Sequence, residues 1–144
     1  MRVLVDTNIV LDVLLNRVQH VAESLRIWTA CDAGSITGFL AAHAVTTIHY
    51  LIAGKKSASE TQAAMAGLLR VFSVATVDSA VIHAALKTGA PDFEDAVTSA
   101  AAFRAECQLI VTRDRSGFRT SPVPAIEPSG LLQLIAVQSD SARS

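Results

Sequence analysis

Apolar residues fall in short bursts along this chain, and the spacing within each burst predicts an element. Val3-Leu4-Val5 is an unbroken apolar run, as in a strand covered on both faces, and it stops at the carboxylate of Asp6. Ile9 to Leu15 reads as a short helix. Residues 20–33 carry Val21, Leu25 and Trp28 at helical spacing, with Gly34 as a stop signal. Ile36 to Leu40 fits a second strand. Residues 42–53 put Val45, Ile48 and Ile52 on one helical stripe that ends at Gly54, after which Ser57 or Ser59 caps a helix reaching Arg70. Residues 71–77 predict a third strand, Asp78 the N-cap of a helix through Leu86, and Gly89-Ala90-Pro91 a break. A helix from Asp92 to Glu106, a strand over 109–112, a short strand over 125–127 and a helix over 131–137 complete the pattern.

Strands separated by helices, with hardly a hairpin signal, imply crossover connections. The expected fold is α/β: a three-layer α/β/α sandwich around a mostly parallel sheet of four to five strands. It forms one domain over residues 1–137, and residues 138–144 read as a flexible tail.

Composition narrows the picture without deciding it. The 144 residues carry a net charge of −1, so any recognition of an anionic partner has to be local. No apolar stretch is long enough to span a bilayer and no signal-peptide layout is seen, so the expectation is a cytoplasmic protein without membrane contact. Cys31 and Cys107 lack metal or redox spacing and read as small buried apolar residues.

The chemistry lies in the acids. Asp6 ends the first strand and Asp114 follows the fourth (LIVTRD), so both project from one sheet edge if those strands are neighbours. Asp92 and Asp95 stand at i and i+3 on the helix leading into that fourth strand and share a face, whereas Glu94 is turned away toward solvent or the helix start. Two carboxylates about 4 Å apart repel by roughly 4 kcal/mol at an effective dielectric near 20. Gathering several therefore requires either protonation or a hard divalent cation. With oxygen ligands and neither His nor Cys at metal spacing, Mg²⁺ or Mn²⁺ is favoured, and the reaction class that follows is metal-assisted phosphodiester hydrolysis.

Three motifs, VLVDTNIVLDVLLNR, DFEDAVTSAAA and LIVTRDRSGF, resemble in order and spacing the PIN-domain ribonuclease family, above all the small bacterial toxins of toxin–antitoxin pairs. The resemblance runs to about residue 137. It implies a ribonuclease using Mg²⁺ or Mn²⁺, with Asp6, Asp95 and Asp114 as catalytic acids and metal ligands, and with Asn8 and Thr112 lining the site. It also implies a small antitoxin protein as partner and a homodimer, for which the Val10 to Leu15 and Val21 to Trp28 stretches are candidate faces. One departure matters. The family's mid-chain helical acid has no counterpart, because no acidic residue stands between Asp32 and Glu60, and Thr47 occupies its place. A threonine is a poor direct ligand but can hold a metal-bound water, so one metal rather than two is expected, with Asp92 as a compensating ligand.

Arg113, Arg115 and Arg119 bracket Asp114 and form a cationic rim suited to an RNA phosphate chain. His43 shares a helix stripe with Thr47. A strand-ending Asp also opens phosphatases of the haloacid-dehalogenase type, but their second Asp would fall at Asn8. The missing helical acid keeps a second reading open: a catalytically weak PIN-like module that binds RNA or a protein.

Overall fold

The structure is a computed structural model that describes residues 1–143. Strand β1 (Arg2–Val5) leads into helix α1 (Thr7–Leu14), and helix α2 (Val21–Asp32) returns to strand β2 (Thr37–Ala41). Helices α3 (Ala42–Ala53) and α4 (Ala58–Val71) precede strand β3 (Ser73–Ala75), and helices α5 (Ser79–Lys87) and α6 (Phe93–Arg104) precede strand β4 (Leu109–Val111). A 3-10 turn (Arg115–Phe118), strand β5 (Ala125–Ile126) and helix α7 (Pro128–Arg143) close the chain. The caps follow local chemistry: Ser57 and Glu60 form a reciprocal capping box at α4, and Asp78 caps α5 through the Val81 N–H.

All pairings are parallel and the strand order is β3-β2-β1-β4-β5. The chain therefore builds the sheet outward from β1 in one direction and then crosses to the other side of β1. Between β1 and β4 the winding reverses, and a crevice opens at the carboxyl ends of those strands, where open parallel sheets take their ligands. β1 and β4 are in register from Val3–Leu109 to Val5–Val111, and the Asp6 N–H extends the ladder to the Val111 carbonyl at 3.0 Å.

The sheet separates two apolar cores because strand side chains alternate between its faces. Val3 and Val5 join Ile9, Val10, Leu11, Ile27, Ile48, Leu68 and Leu131 on one face. Leu4 joins Phe39, Val81, Val97, Ala101, Ala102 and Ile110 on the other. Burying each of the larger side chains contributes about 1.5–3 kcal/mol. The alanines of α6 let that helix approach the sheet closely. Gly38 does the same on β2: a Cβ there would lie 2.6 Å from the Cys31 Sγ and 2.8 Å from Phe72 Cδ1.

Three expectations change. The third strand is shorter than expected, because α4 continues through Val71 and only Ser73–Ala75 pair. Residues 138–143 are the exposed last turns of α7 rather than a tail, and position 144 of that expected tail lies outside the described residues. Of the stretches named as dimer faces, Val10, Leu11 and Ile27 are buried in the core, whereas Ala22 and Leu25 on the second stretch are exposed. Cys31 and Cys107 are buried free thiols, pushed by burial to pKa values of about 12 and about 11. Among the described residues no helix is long and apolar enough to cross a membrane.

Candidate active site

The crevice between β1 and β4 holds a cleft of about 370 Å³. Asp6, Thr7, Asn8, Leu11 and Arg17 line it from the β1–α1 side, Thr47 and Leu51 from α3, Asp92, Glu94 and Asp95 from the start of α6, and Thr112, Asp114 and Phe118 from beyond β4. The larger, mainly apolar hollow beside Phe103 and Val123 contains none of these acids.

Asp6 stands where α1 begins, yet its side chain does not cap that helix. Its Oδ2 instead accepts a hydrogen bond from the Thr112 hydroxyl at 3.0 Å. Burial pushes the Asp6 carboxyl above its ordinary range, opposed by that hydroxyl, by the Thr7 N–H and by the Arg113 charge, while Asp114 adds to the rise. Thr112 is itself buried, and its Oγ1 also accepts the Asp114 N–H at 3.1 Å. One hydroxyl thus ties the acids after β1 and β4 together.

Asp114 caps the 3-10 turn. Its Oδ1 accepts the Ser116 N–H at 3.1 Å and also the Ser116 hydroxyl, and these bonds hold its carboxyl below the usual range. Asp92 caps α6 by accepting the Asp95 N–H at 3.0 Å, so it is the N-cap residue rather than a first-turn partner of Asp95. Asp95 has no such relief. Burial, followed by the charges of Asp92, Asp6, Asp114 and Glu94, raises its pKa to about 6. Its carboxylate fits against Gly117, where an added Cβ would sit 2.1 Å from Oδ2. The missing side chain at 117 is what admits the acid there.

The structure brings Asp6, Asp92, Asp95, Asp114, Asn8, Thr47 and Thr112 to one cleft. Asn8 is engaged by Arg17, whose Nη1 donates to its Oδ1 at 3.0 Å, and the Thr47 hydroxyl turns back to the His43 carbonyl at 3.4 Å. The three arginines behave differently from one another and from the expected rim. Arg113 is drawn beneath the cleft into a salt bridge with the buried Asp12. Arg115 and Arg119 line an adjoining hollow with Ser116, Phe118 and Glu127 rather than the cleft itself, and Arg115 reaches Glu127 at 3.6 Å. His43 lies outside the cleft lining and meets the Thr98 hydroxyl at 3.3 Å.

Two charged lining residues, and the apolar Leu11, Leu51 and Phe118, were not expected from the sequence. Glu94 faces the cleft rather than away from it, because the acid that caps α6 is Asp92. Arg17 belongs to the loop after α1, and its signal was present: Asp12 interrupts the apolar IVLDVLL stretch, and a charge buried there needs a cationic partner.

The donor set fits a hard divalent cation. It offers oxygen alone, and Asp6 and Asp95 both lose solvation and feel like charges. Among the described residues no three His, Cys, Asp or Glu side chains are gathered closely enough to hold a metal as they stand. Mg²⁺ tolerates this, since it keeps several of its waters and takes as few as one or two carboxylates directly.

Comparison with known proteins agrees with this architecture. A PIN-domain family model matches residues 2–116. No curated protein matches the sequence. Among solved structures, the chain is similar to VapBC2 from Rickettsia felis bound to a DNA fragment from their promoter, with a TM-score of 0.66 and 12% identity over 88% of this chain and 98% of that one. FitAcB from Neisseria gonorrhoeae gives a TM-score of 0.64 and 18% identity, covering 88% of this chain and 98% of that chain. VapBC-1 from nontypeable Haemophilus influenzae gives 0.66 and 14% identity, covering 90% of this chain and 99% of that chain.

Proposed function

Because the chain belongs to the PIN-domain family, whose members are nucleases, we propose that it is a divalent-metal-dependent endoribonuclease, with Asp6, Asp95 and Asp114 as its catalytic acids. The observation that carries this reading is Asp95, a carboxyl pushed up to about 6 by burial and by four neighbouring acids in one cleft. Acids so arranged gain most from a bound cation. Asp6, Asp95, Asp114 and Asp92 are the residues that would hold Mg²⁺ or Mn²⁺ in this cleft. When bound, the ion supplies a water acidified for attack on phosphorus and offsets charge on the phosphoryl oxygens.

The chain's own residues supply the rest. The Thr112 hydroxyl fixes Asp6 Oδ2 and the Thr7 N–H steadies the same carboxylate, so its orientation toward the cleft is set by the chain. Thr47 and Asn8 give polar walls to the cleft. Hydrolysis adds water across one phosphodiester bond, and the proton lost by the attacking water leaves through the carboxylates lining the cleft.

The likeness to VapBC and FitAcB assemblies supports a further part of the reading, that the protein is the toxin of a toxin–antitoxin pair bound by a small antitoxin, and we propose in addition that it is homodimeric and cytoplasmic. Its proposed substrate is a structured RNA or a defined RNA loop, since few aromatic residues are available for stacking single-strand bases.

The decisive experiment measures RNA cleavage in Mg²⁺ and Mn²⁺ by the wild type and by Asp6→Asn. The variant is expected to lose more than the roughly 10- to 100-fold that removal of an outer partner costs a metal site. Equal cleavage by the two proteins removes the assignment. RNA binding without cleavage by either supports the second reading, a PIN-like module that binds RNA or protein without cutting. That reading is favoured by Thr47 standing where an acid is expected and by the absence of any acid from 33 to 59.

A further inference from the structure

Five carboxylates line the cleft, from Asp6, Asp92, Glu94, Asp95 and Asp114, and among the described residues lining it Arg17 is the one cation. Its placement is built rather than incidental. Asp12, on α1, is buried with 0% of its surface exposed, and it faces two guanidiniums, Arg113 and Arg17. Its Oδ2 takes the close Arg113 pair and the Ser24 hydroxyl at 2.6 Å, while the Arg17 Nη1 stands 3.5 Å from Oδ1. One negative charge is thus shared by two positive ones. Arg113 makes the close pair, whereas Arg17, at 3.5 Å from an Oδ1 that takes no hydrogen bond, is the more loosely held of the two.

Arg17 is also tethered where it can act. Its Nη1 donates to Asn8 Oδ1 at 3.0 Å, and Asn8 stands two residues after Asp6 in the cleft lining. A guanidinium carries five N–H donors in a planar fork. Asn8 and Asp12 engage Nη1, so among the described residues Nη2 and Nε have no protein acceptor. The side chain is 37% exposed, open to a ligand on the cleft side while anchored beneath.

We propose that Arg17, positioned by Asn8 and the buried Asp12, holds a non-bridging phosphate oxygen of the nucleic-acid chain bound in this cleft. A polyanion approaching five carboxylates meets repulsion that a metal ion only partly offsets. A fixed guanidinium at the wall supplies a charge-assisted hydrogen bond to phosphate without competing for the metal oxygens. The cationic contact assigned in sequence to the arginines around Asp114 passes to Arg17. This inference rests on the nuclease reading for its setting, but its test does not depend on turnover.

The test uses the full chain carrying Asp6→Asn to prevent cleavage and measures binding of a short oligouridylate across a potassium chloride series, with and without Mn²⁺. Adding Arg17→Gln is expected to weaken binding about tenfold and to reduce the slope of log affinity against log salt by about 0.7, the loss of one phosphate contact to a single strand. Arg17→Lys keeps the charge and is expected to retain the slope. In the cleaving background, Arg17→Gln should raise KM about tenfold and change kcat little, since the contact forms in ground and transition state alike.

Unchanged affinity and slope in Arg17→Gln overturn the proposal, as does an absence of RNA binding by the parent protein. A lower melting temperature with an intact slope in both Arg17 variants assigns Arg17 a purely structural role and also overturns it. Loss of slope in Arg17→Gln together with no metal-dependent cleavage by wild type keeps Arg17 as a phosphate-holding residue and removes the nuclease reading alone.

Discussion

Helix α1 separates two acidic sites that obey the same electrostatics and resolve it in opposite ways. On its buried side Asp12 is desolvated completely, and the chain meets the cost itself with Arg113, Arg17 and the Ser24 hydroxyl. On its open side Asp6 is desolvated too, and Asp95 is pushed to about 6, yet the chain supplies mainly hydroxyls, backbone amides and further acids there, and the two nearby guanidiniums, Arg113 and Arg17, are already committed to Asp12. A fold that balances one buried carboxylate with two guanidiniums is able to balance charge where stability requires it. Leaving the neighbouring acids unbalanced marks the cleft as the place where the counter-charge comes from outside.

The largest effect expected from this contrast is at Asp12. Asp12→Ala strands two guanidiniums and a buried hydroxyl; because the guanidiniums are 37% and 29% exposed, the cost is about 3 kcal/mol, the low end of that for a broken buried pair. A thermal melt should fall by roughly 10 °C. A fall within experimental error would erase the distinction between the two sites.

Next in size is the response to metal. Saturating Mn²⁺ at about 100 times its dissociation constant should add about 2.7 kcal/mol of stability near pH 8. Lowering the pH through the Asp95 value of about 6 protonates a ligand, so the metal-induced gain in melting temperature should shrink across that range. A gain that is the same on both sides of that pH would place the ion elsewhere.

A smaller effect sharpens the geometry. In Gly117→Ala the new methyl occupies the space of the Asp95 carboxylate and turns it out of place, with an expected loss of about tenfold in cleavage, or about 1.4 kcal/mol, and little change in melting temperature. Full activity in this variant would show that the Asp95 position against Gly117 is not the working one.

The smallest effect concerns Asp95 without metal. Its folded-state pKa lies above the unfolded value of 3.8, so the folded state binds the proton more tightly. Its ionisation therefore costs stability progressively from about pH 4 to about pH 6, and the whole cost is present above that window. Asp95→Asn should accordingly melt higher than wild type near pH 8, by about 1 kcal/mol or about 3 °C once solvent screening of this half-exposed group is allowed for, and show no gain near pH 4. A gain of the same size at both pH values would mean that repulsion among the acids is not its source.

Much of this site was legible in order along the chain. Asp6 and Asp114 were found because each follows an apolar strand, and a charge at such a boundary projects from the sheet edge. Helical spacing paired Asp95 with Asp92, and the resemblance to the PIN-domain family singled out Asp95. The functions of the flanking polar residues were not legible, since they depend on which partner each side chain meets. Arg113 beside Asp114 looked like a phosphate clamp, but Asp12, 101 positions away, captures it. Asp92 lines the cleft as expected and also caps α6, which left Glu94 to face the cleft as well.

What the sequence by itself determined is the alternation of strands and helices and the identity of the strand-ending acids, because apolar periodicity and abrupt polarity changes are local properties. Only the tertiary structure decided that β1 and β4 are neighbours, that Asp12 divides its charge between two arginines, and that Arg17 rather than Arg113 faces the cleft. Those outcomes follow from desolvation and Coulomb energy, which depend on distance in space and on burial, and neither quantity is carried by position along the chain.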